Sequence, residues 1–233
     1  MWRLGGFLLA VLAQDPAPEA GSERPKPGTV RGTVALQVPG LKLADAGPVV
    51  AFLEGIDAPL RYEVPKAVPT ISQTNARFAP NFLVIAAGQS VQFPNDDVIV
   101  HNVFSFSRPN DFDLGLYPKG ESKSVTFRQP GVVRVYCSIH QSMSAVIYVA
   151  PSPHHTVVGA DGTFQVRDVP PGRYRLRTWN GKLPSVAAEV TVAAGAEATV
   201  ALAIEPKRQA PAAEGKAAEA PPRERPADEG KRE

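Results

Sequence analysis

Apolar and polar residues alternate one by one through the middle of this chain, and that period of two restricts its fold more than any other feature. Val30, Val34, Leu36 and Val38 alternate with Arg31, Thr33, Ala35 and Gln37. Val186, Ala188, Val190 and Val192 alternate with Ala187, Glu189 and Thr191, and Ala198, Val200, Leu202 and Ile204 follow the same pattern. Successive side chains of a strand point to opposite faces, so each run gives one face to a core and one to water. Gly and Pro punctuate the runs at Pro130-Gly131, Asp161-Gly162 and Pro170-Pro171-Gly172. Short alternating runs bounded by turn residues predict an all-β chain of sandwich or barrel type with almost no helix.

The two ends read differently. Residues 1–13 combine an early Arg3 with an unbroken apolar run, and Val11 and Ala13 supply small residues at a cleavage point. This is the pattern of a secretory signal peptide, so the mature protein is expected to be periplasmic or secreted. Residues 14–27 carry four prolines among charges and small residues and read as a linker. Residues 205–233 mix Ala, Pro and Gly with equal numbers of acidic and basic residues. Such a segment cannot bury enough apolar surface to offset its ordering entropy, and it is expected to be a disordered tail, available as a contact segment. No stretch reaches the ~18 apolar residues of a membrane span.

Composition matters next for what it excludes. Lys and Arg total 25 against 23 Asp and Glu, without the basic excess of a nucleic-acid binder. One cysteine excludes an internal disulfide framework and any zinc site made of several thiolates. Four histidines are too few for a multicopper or multi-haem enzyme. The scarce residues nevertheless cluster: Cys137, His140 and Met143, the only methionine besides Met1, form a Cys-x2-His-x2-Met run. The run joins a β-branched strand, 132–136, to a second strand, 145–149, so it puts a thiolate, an imidazole and a thioether close to one point. One further imidazole completes a trigonal His2Cys set with a weak axial methionine, the ligand set of a blue-copper site. His101, in the strand-like run 98–106, is the natural supplier.

Arg77-Phe78-Ala79-Pro80, Ala87-Gly88-Gln89-Ser90-Val91-Gln92-Phe93-Pro94-Asn95, His101-Asn102-Val103 and Tyr136-Cys137-Ser138-Ile139-His140 resemble the cupredoxins, the family of plastocyanin, azurin, pseudoazurin and amicyanin. The short ligand loop is most similar to amicyanin, and Phe112-Asp113-Leu114-Gly115 is similar to cupredoxins labelled methylamine-utilisation proteins. The resemblance spans about 68–149 and implies a Greek-key β-sandwich holding one copper ion that cycles between Cu(I) and Cu(II). It implies His101, Cys137 and His140 as equatorial ligands and Met143 as the axial one. It also implies that Asn102 ties the two ligand loops together, its backbone N–H bonding the cysteine sulfur. His140, with Ile139 beside it, would be the exit for the electron.

The flanks resemble a second family. Asp161-Gly162-Thr163-Phe164 and Val169-Pro170-Pro171-Gly172-Arg173-Tyr174 are similar to carboxypeptidase regulatory-like, transthyretin-like β-sandwiches. The two strands with which that family opens are matched by Gly32-Thr33-Val34 and Val49-Val50-Ala51-Phe52-Leu53-Glu54, which precede the cupredoxin segment. The expected organisation is therefore a discontinuous sandwich, 28–56 with 154–204, and a cupredoxin domain, 62–150, inserted between its second and third strands. On the strand 173–179, Arg173, Arg175, Arg177 and Trp179 share one face, which reads either as a solvated strand face or as a docking surface for an anionic partner. His154 and His155 sit in a linker-like context and carry no ligand pattern. Asp96, Asp97, Asp111 and Asp113 read as loop and turn acids, or at most as a weak electrostatic docking patch.

Nothing resembles a hydrolytic site, so the expectation is an electron carrier and not an enzyme. The functional expectation is an exported mononuclear type 1 copper protein that passes single electrons between redox partner proteins. Its alternative is a copper-binding or copper-delivery module without a redox circuit. A scaffold whose cupredoxin fold has lost its metal is disfavoured by the survival of all four ligand types.

Overall fold

The computed structural model describes residues 25–55 and 62–205; the expected signal peptide 1–13, most of the expected linker and the expected tail beyond 205 lie outside the described residues. Sixteen strands follow one another along the described chain. The first two are β1 (Gly28–Leu36) and β2 (Val50–Gly55), separated by a single 3-10 turn, Leu43–Ala46. The next nine are β3 (Ser72–Thr74), β4 (Arg77–Ala79), β5 (Phe82–Ala86), β6 (Ser90–Pro94), β7 (His101–Ser105), β8 (Phe112–Tyr117), β9 (Ser122–Thr126), β10 (Gly131–Tyr136) and β11 (Ser144–Ala150). The last five are β12 (His155–Val157), β13 (Thr163–Val169), β14 (Gly172–Trp179), β15 (Ala187–Val192) and β16 (Glu197–Ile204). The described residues contain no α-helix, and the all-β expectation holds.

The strands stack as four layers. The first is a three-stranded sheet in the order β13-β1-β16, and the second a four-stranded sheet in the order β12-β2-β14-β15. The third has the order β5-β11-β10-β7-β8, and the two ribbons β3-β4 and β6-β9 close the fourth. Layers one and two therefore mix β1 and β2, from before residue 56, with β12 to β16, from beyond residue 154. Layers three and four use only the chain between.

Alternation explains how each gap is filled. Val30, Val34, Phe164, Val166, Leu202 and Ile204 from the first layer meet Ala51, Leu53, Leu176 and Val190 from the second. Val133, Val135, Ile147 and Val149 from the third meet Val91, Phe93 and Phe78 from the fourth. The strands in the middle of the stack must bury both faces, and β2 and β11 are apolar on both. The other face of β2 presents Val50 and Phe52, and the other face of β11 presents Tyr148 and Ala150, which form a third cluster between layers two and three. Its rings interlock: Tyr148 stacks on Trp179 with centroids 4.4 Å apart, Phe82 stacks on the same indole at 6.2 Å, and Phe52 tilts onto Tyr148 at 5.7 Å.

This contact alters the reading of the arginine face of β14. Trp179 is covered by the neighbouring sheet, while Arg177 pairs with Glu54 at 3.2 Å and Arg173 with Glu189 at 3.4 Å. The Trp179 end of the face is an internal seam, while Arg173 and Arg175 at its other end are exposed, as in a solvated strand face.

Candidate metal centre

The inward face of β10 carries Val133 and Val135 into the core, and the next inward position is Cys137, just past the strand end. Its thiol is 5% exposed. The chain then turns tightly: Met143 N–H donates to the His140 carbonyl at 2.9 Å, and Cys137 N–H to the Met143 carbonyl at 3.3 Å. Those two bonds close the loop 137–143 on itself and bring Met143, 1% exposed, back into the cluster that holds Cys137. His101 opens β7, which lies beside β10 in the same sheet, and its ring is fully buried. His140 is half-buried, at the edge of the site.

The donor atoms of His101, Cys137 and His140 all lie within 4.8 Å of one another. Cys137 Sγ is 3.9 Å from Nδ1 of His101 and 3.9 Å from Nδ1 of His140. The imidazole rings are 4.8 Å apart, centroid to centroid. Bonds of about 2.3 Å to sulfur and about 2.0 Å to nitrogen, spread at ~120°, put the two donor atoms about 3.7 Å apart. The observed spacing therefore suits a single ion among three donors. The donor set is itself selective, because a thiolate and a buried thioether favour copper, in particular Cu(I), and imidazoles also suit Cu(II).

The surrounding hydrogen bonds hold the donors from behind. Asn102 Oδ1 accepts the Ser138 N–H at 3.1 Å, which links the loop of His101 to the loop of Cys137. Asn102 Nδ2 donates to Asp113 Oδ1 at 2.7 Å, and the same oxygen accepts the Gly115 N–H at 2.8 Å. His101 Nε2 lies 3.0 Å from Asp97 Oδ2. Backbone N–H groups of Ala76 and Val98 and the ring of His101 pull the Asp97 carboxyl down to about 2. Asp97 and Asp113, which the sequence presented as ordinary turn acids, thus support the site. An acid four residues before the candidate ligand His101 was the available signal, but only the loop between them determines whether the two side chains meet. His154 and His155 are not among these donors; His155 Nδ1 donates to the Ser152 carbonyl at 2.9 Å.

Residues 66–150 match the family of copper binding proteins, plastocyanin/azurin family. The segment that carries the site, about a third of the chain, is thus similar to the plastocyanin/azurin copper proteins, and copper is the cofactor that its His-Cys-His donor set suits. Among individual proteins, the chain is 33% identical over 81 residues to chloroplastic plastocyanin of Fritillaria agrestis, covering 30% of this chain. The matched part spans about half of that relative, 49% of its length. Among solved structures, a purple cupredoxin from Nitrosopumilus maritimus is 23% identical, covering 35% of this chain and 99% of that one, with a TM-score of 0.33. A reduced amicyanin mutant is 20% identical, covering 37% and 86%, with a TM-score of 0.34. A copper-containing nitrite reductase from Thermus scotoductus is 28% identical, covering 50% and 28%, with a TM-score of 0.34.

Proposed function

We propose that this chain is an exported carrier of single electrons, with one copper ion held by His101, Cys137 and His140 and an axial Met143. The observation that carries the reading is the convergence of a buried thiol and two imidazoles within 4.8 Å, drawn from separate loops. Copper supplies a one-electron change between Cu(I) and Cu(II), and the mixed donor set suits both states. Burial of His101, Cys137 and Met143 keeps water from the donors, and Asn102 fixes the distance between the two loops. A cage held in this way limits rearrangement when the charge changes. That rigidity favours a carrier over a copper-delivery module, which must open to release its ion.

His140 is the half-buried member, so it is the route for the electron to leave. Ile139 beside it is exposed, as are Val98, Ile99 and Val100 in the loop leading to His101. Exposed aliphatic residues on both ligand loops suit brief docking of redox partner proteins. Residues 62–150 act as the copper module, inserted between the second and third strands of a host sandwich. The pairing of β1 and β2 with strands beyond residue 154 supports that organisation. Export rests on the sequence of residues 1–13; among the described residues no helix is long and apolar enough to cross a membrane.

The test is to add Cu(II) to the purified protein and record visible and electron-paramagnetic spectra. A strong thiolate-to-copper band that disappears in Cys137→Ser is the expected result. A colourless protein, or a spectrum indifferent to that change, refutes the site. Repeated reduction and reoxidation without loss of copper separates the carrier from the delivery module. Met143→Leu should keep copper and shift the potential, as expected of an axial ligand.

A further inference from the structure

We propose that Asp97 is the positioning residue of the centre: its carboxylate fixes the orientation and tautomer of His101 and places a negative charge behind that ligand, lowering the reduction potential. The proposal rests on the ligand reading above and adds a residue that touches no donor to the metal except through His101.

The geometry is directional. A carboxylate can only accept, so the 3.0 Å contact puts the imidazole proton on Nε2 and leaves the Nδ1 lone pair free on the side of Cys137 Sγ. The His101 ring is fully buried, so water cannot replace the carboxylate as acceptor without opening the site. Hydrogen bonding of the distal nitrogen of a ligand histidine fixes its tautomer and strengthens it as a donor. A full negative charge one ring away from the ion also favours the more positive oxidation state, and burial reduces the solvent screening of that effect.

Asp97 is in turn held in place. Oδ2 also accepts the Ala76 N–H at 2.7 Å, Oδ1 accepts the Val98 N–H at 2.8 Å, and the Asp97 N–H donates to Asn95 Oδ1 at 3.0 Å. Ala76 lies in the two-residue turn between β3 and β4, where Asn75 and Ala76 both adopt positive φ, 53° and 51°. This turn directs the Ala76 N–H at the carboxylate. A second bond, from the Asp96 N–H to the Gln73 carbonyl at 3.0 Å, fastens the same hairpin to the loop. A short ribbon outside the ligand loops therefore aims the acid, and the acid aims the histidine. Asp113 provides a contrast within the same site, because it bonds the amide of Asn102 and no ligand.

The test compares Asp97→Asn, Asp97→Leu and Asp113→Asn with the unmutated copper-loaded protein. Asp97→Asn removes the charge, keeps the shape and leaves one acceptor oxygen. It should retain the thiolate-to-copper band and show a higher midpoint potential. Asp97→Leu removes the acceptor, so copper affinity should fall about tenfold or more. In the metal-free protein, imidazole nitrogen shifts should show His101 held as the Nε2–H tautomer, with the preference weakened in Asp97→Leu. Asp113→Asn should shift the potential less than Asp97→Asn. An unchanged potential in a folded Asp97→Asn protein overturns the proposal, and so do equal shifts in the two asparagine variants. If Asp97→Leu does not fold, the potentials of the asparagine variants decide alone. Failure of the ligand reading is distinguishable, because the unmutated protein then shows no thiolate-to-copper band.

Discussion

The two halves of the stack are built by the same alternation yet end differently. Between layers one and two, the inward positions are filled by Val, Leu, Ile, Phe and a tyrosine whose hydroxyl bonds the Pro170 carbonyl. Between layers three and four the same rule holds along β10 until the position after the strand, where Cys137 replaces another valine, and His101 and Met143 fill the space around it. Putting sulfur and nitrogen donors at core positions brings further polar groups inward. Gln73, Asn95 and Asn102 are buried there, and their amides bond Tyr117, the Ile99 carbonyl and Asp113. The comparison teaches that a binding site in a sandwich can arise by changing which atoms fill one end of the core. The sheet itself need not change.

The comparison can be broken at four points of decreasing size. Leu176→Ala in the first gap and Ile147→Ala in the second remove similar fully buried side chains, and each should cost about 3 kcal/mol. Because the aromatic seam joins the halves, thermal unfolding should be one transition, and copper at a hundredfold excess over its Kd should add about 2.7 kcal/mol to both variants. A rescue confined to Ile147→Ala would show that the halves melt separately. Trp179→Ala tests the seam directly: it should cost about 2 kcal/mol, less than a fully buried tryptophan, and split the transition in two. The copper spectrum should not change.

Ala76→Gly should stabilise the protein by about 1 kcal/mol, because glycine carries no Cβ penalty at positive φ and Asn-Gly suits such a turn. Chemical denaturation measures it, and a loss of stability would contradict the turn geometry. The smallest effect concerns pH. Burial holds His154 and His155 below the ordinary histidine range. The unfolded chain then takes up these protons at higher pH than the folded one, so stability is complete above the ordinary range and declines as pH falls toward the folded values. His154→Gln should flatten that slope between pH 7 and 5 in denaturation of the metal-free protein. An unchanged slope would remove His154 as its source.

Much of this was legible in the sequence. The strand pattern follows from side-chain period alone, and the candidate ligands are conspicuous because cysteine and methionine are so rare in the chain. Asp97 was not legible: in a loop, spacing of four residues does not determine a side-chain contact as it does on a helix, and an acid beside Asp96 reads as solvated. Trp179 was misjudged because alternation assigns a residue to a face but cannot say which sheet covers that face. A signal did exist in the unbroken apolar runs at 49–53 and 145–150, which mark strands buried on both sides.

The parallel clasp between β1 and β16 bears on the order of assembly as the chain emerges. Thr29 lies opposite Glu197 and Leu36 opposite Ile204, so the first strand waits for the last before its sheet can close. The layers that hold the candidate metal centre draw only on the chain between β2 and β12, and all of their strands emerge about fifty residues earlier. A domain whose strands are complete can fold while the rest of the chain is still emerging. The metal cage can therefore take shape inside a host that is still open, and the aromatic seam then offers a finished surface on which the later strands assemble.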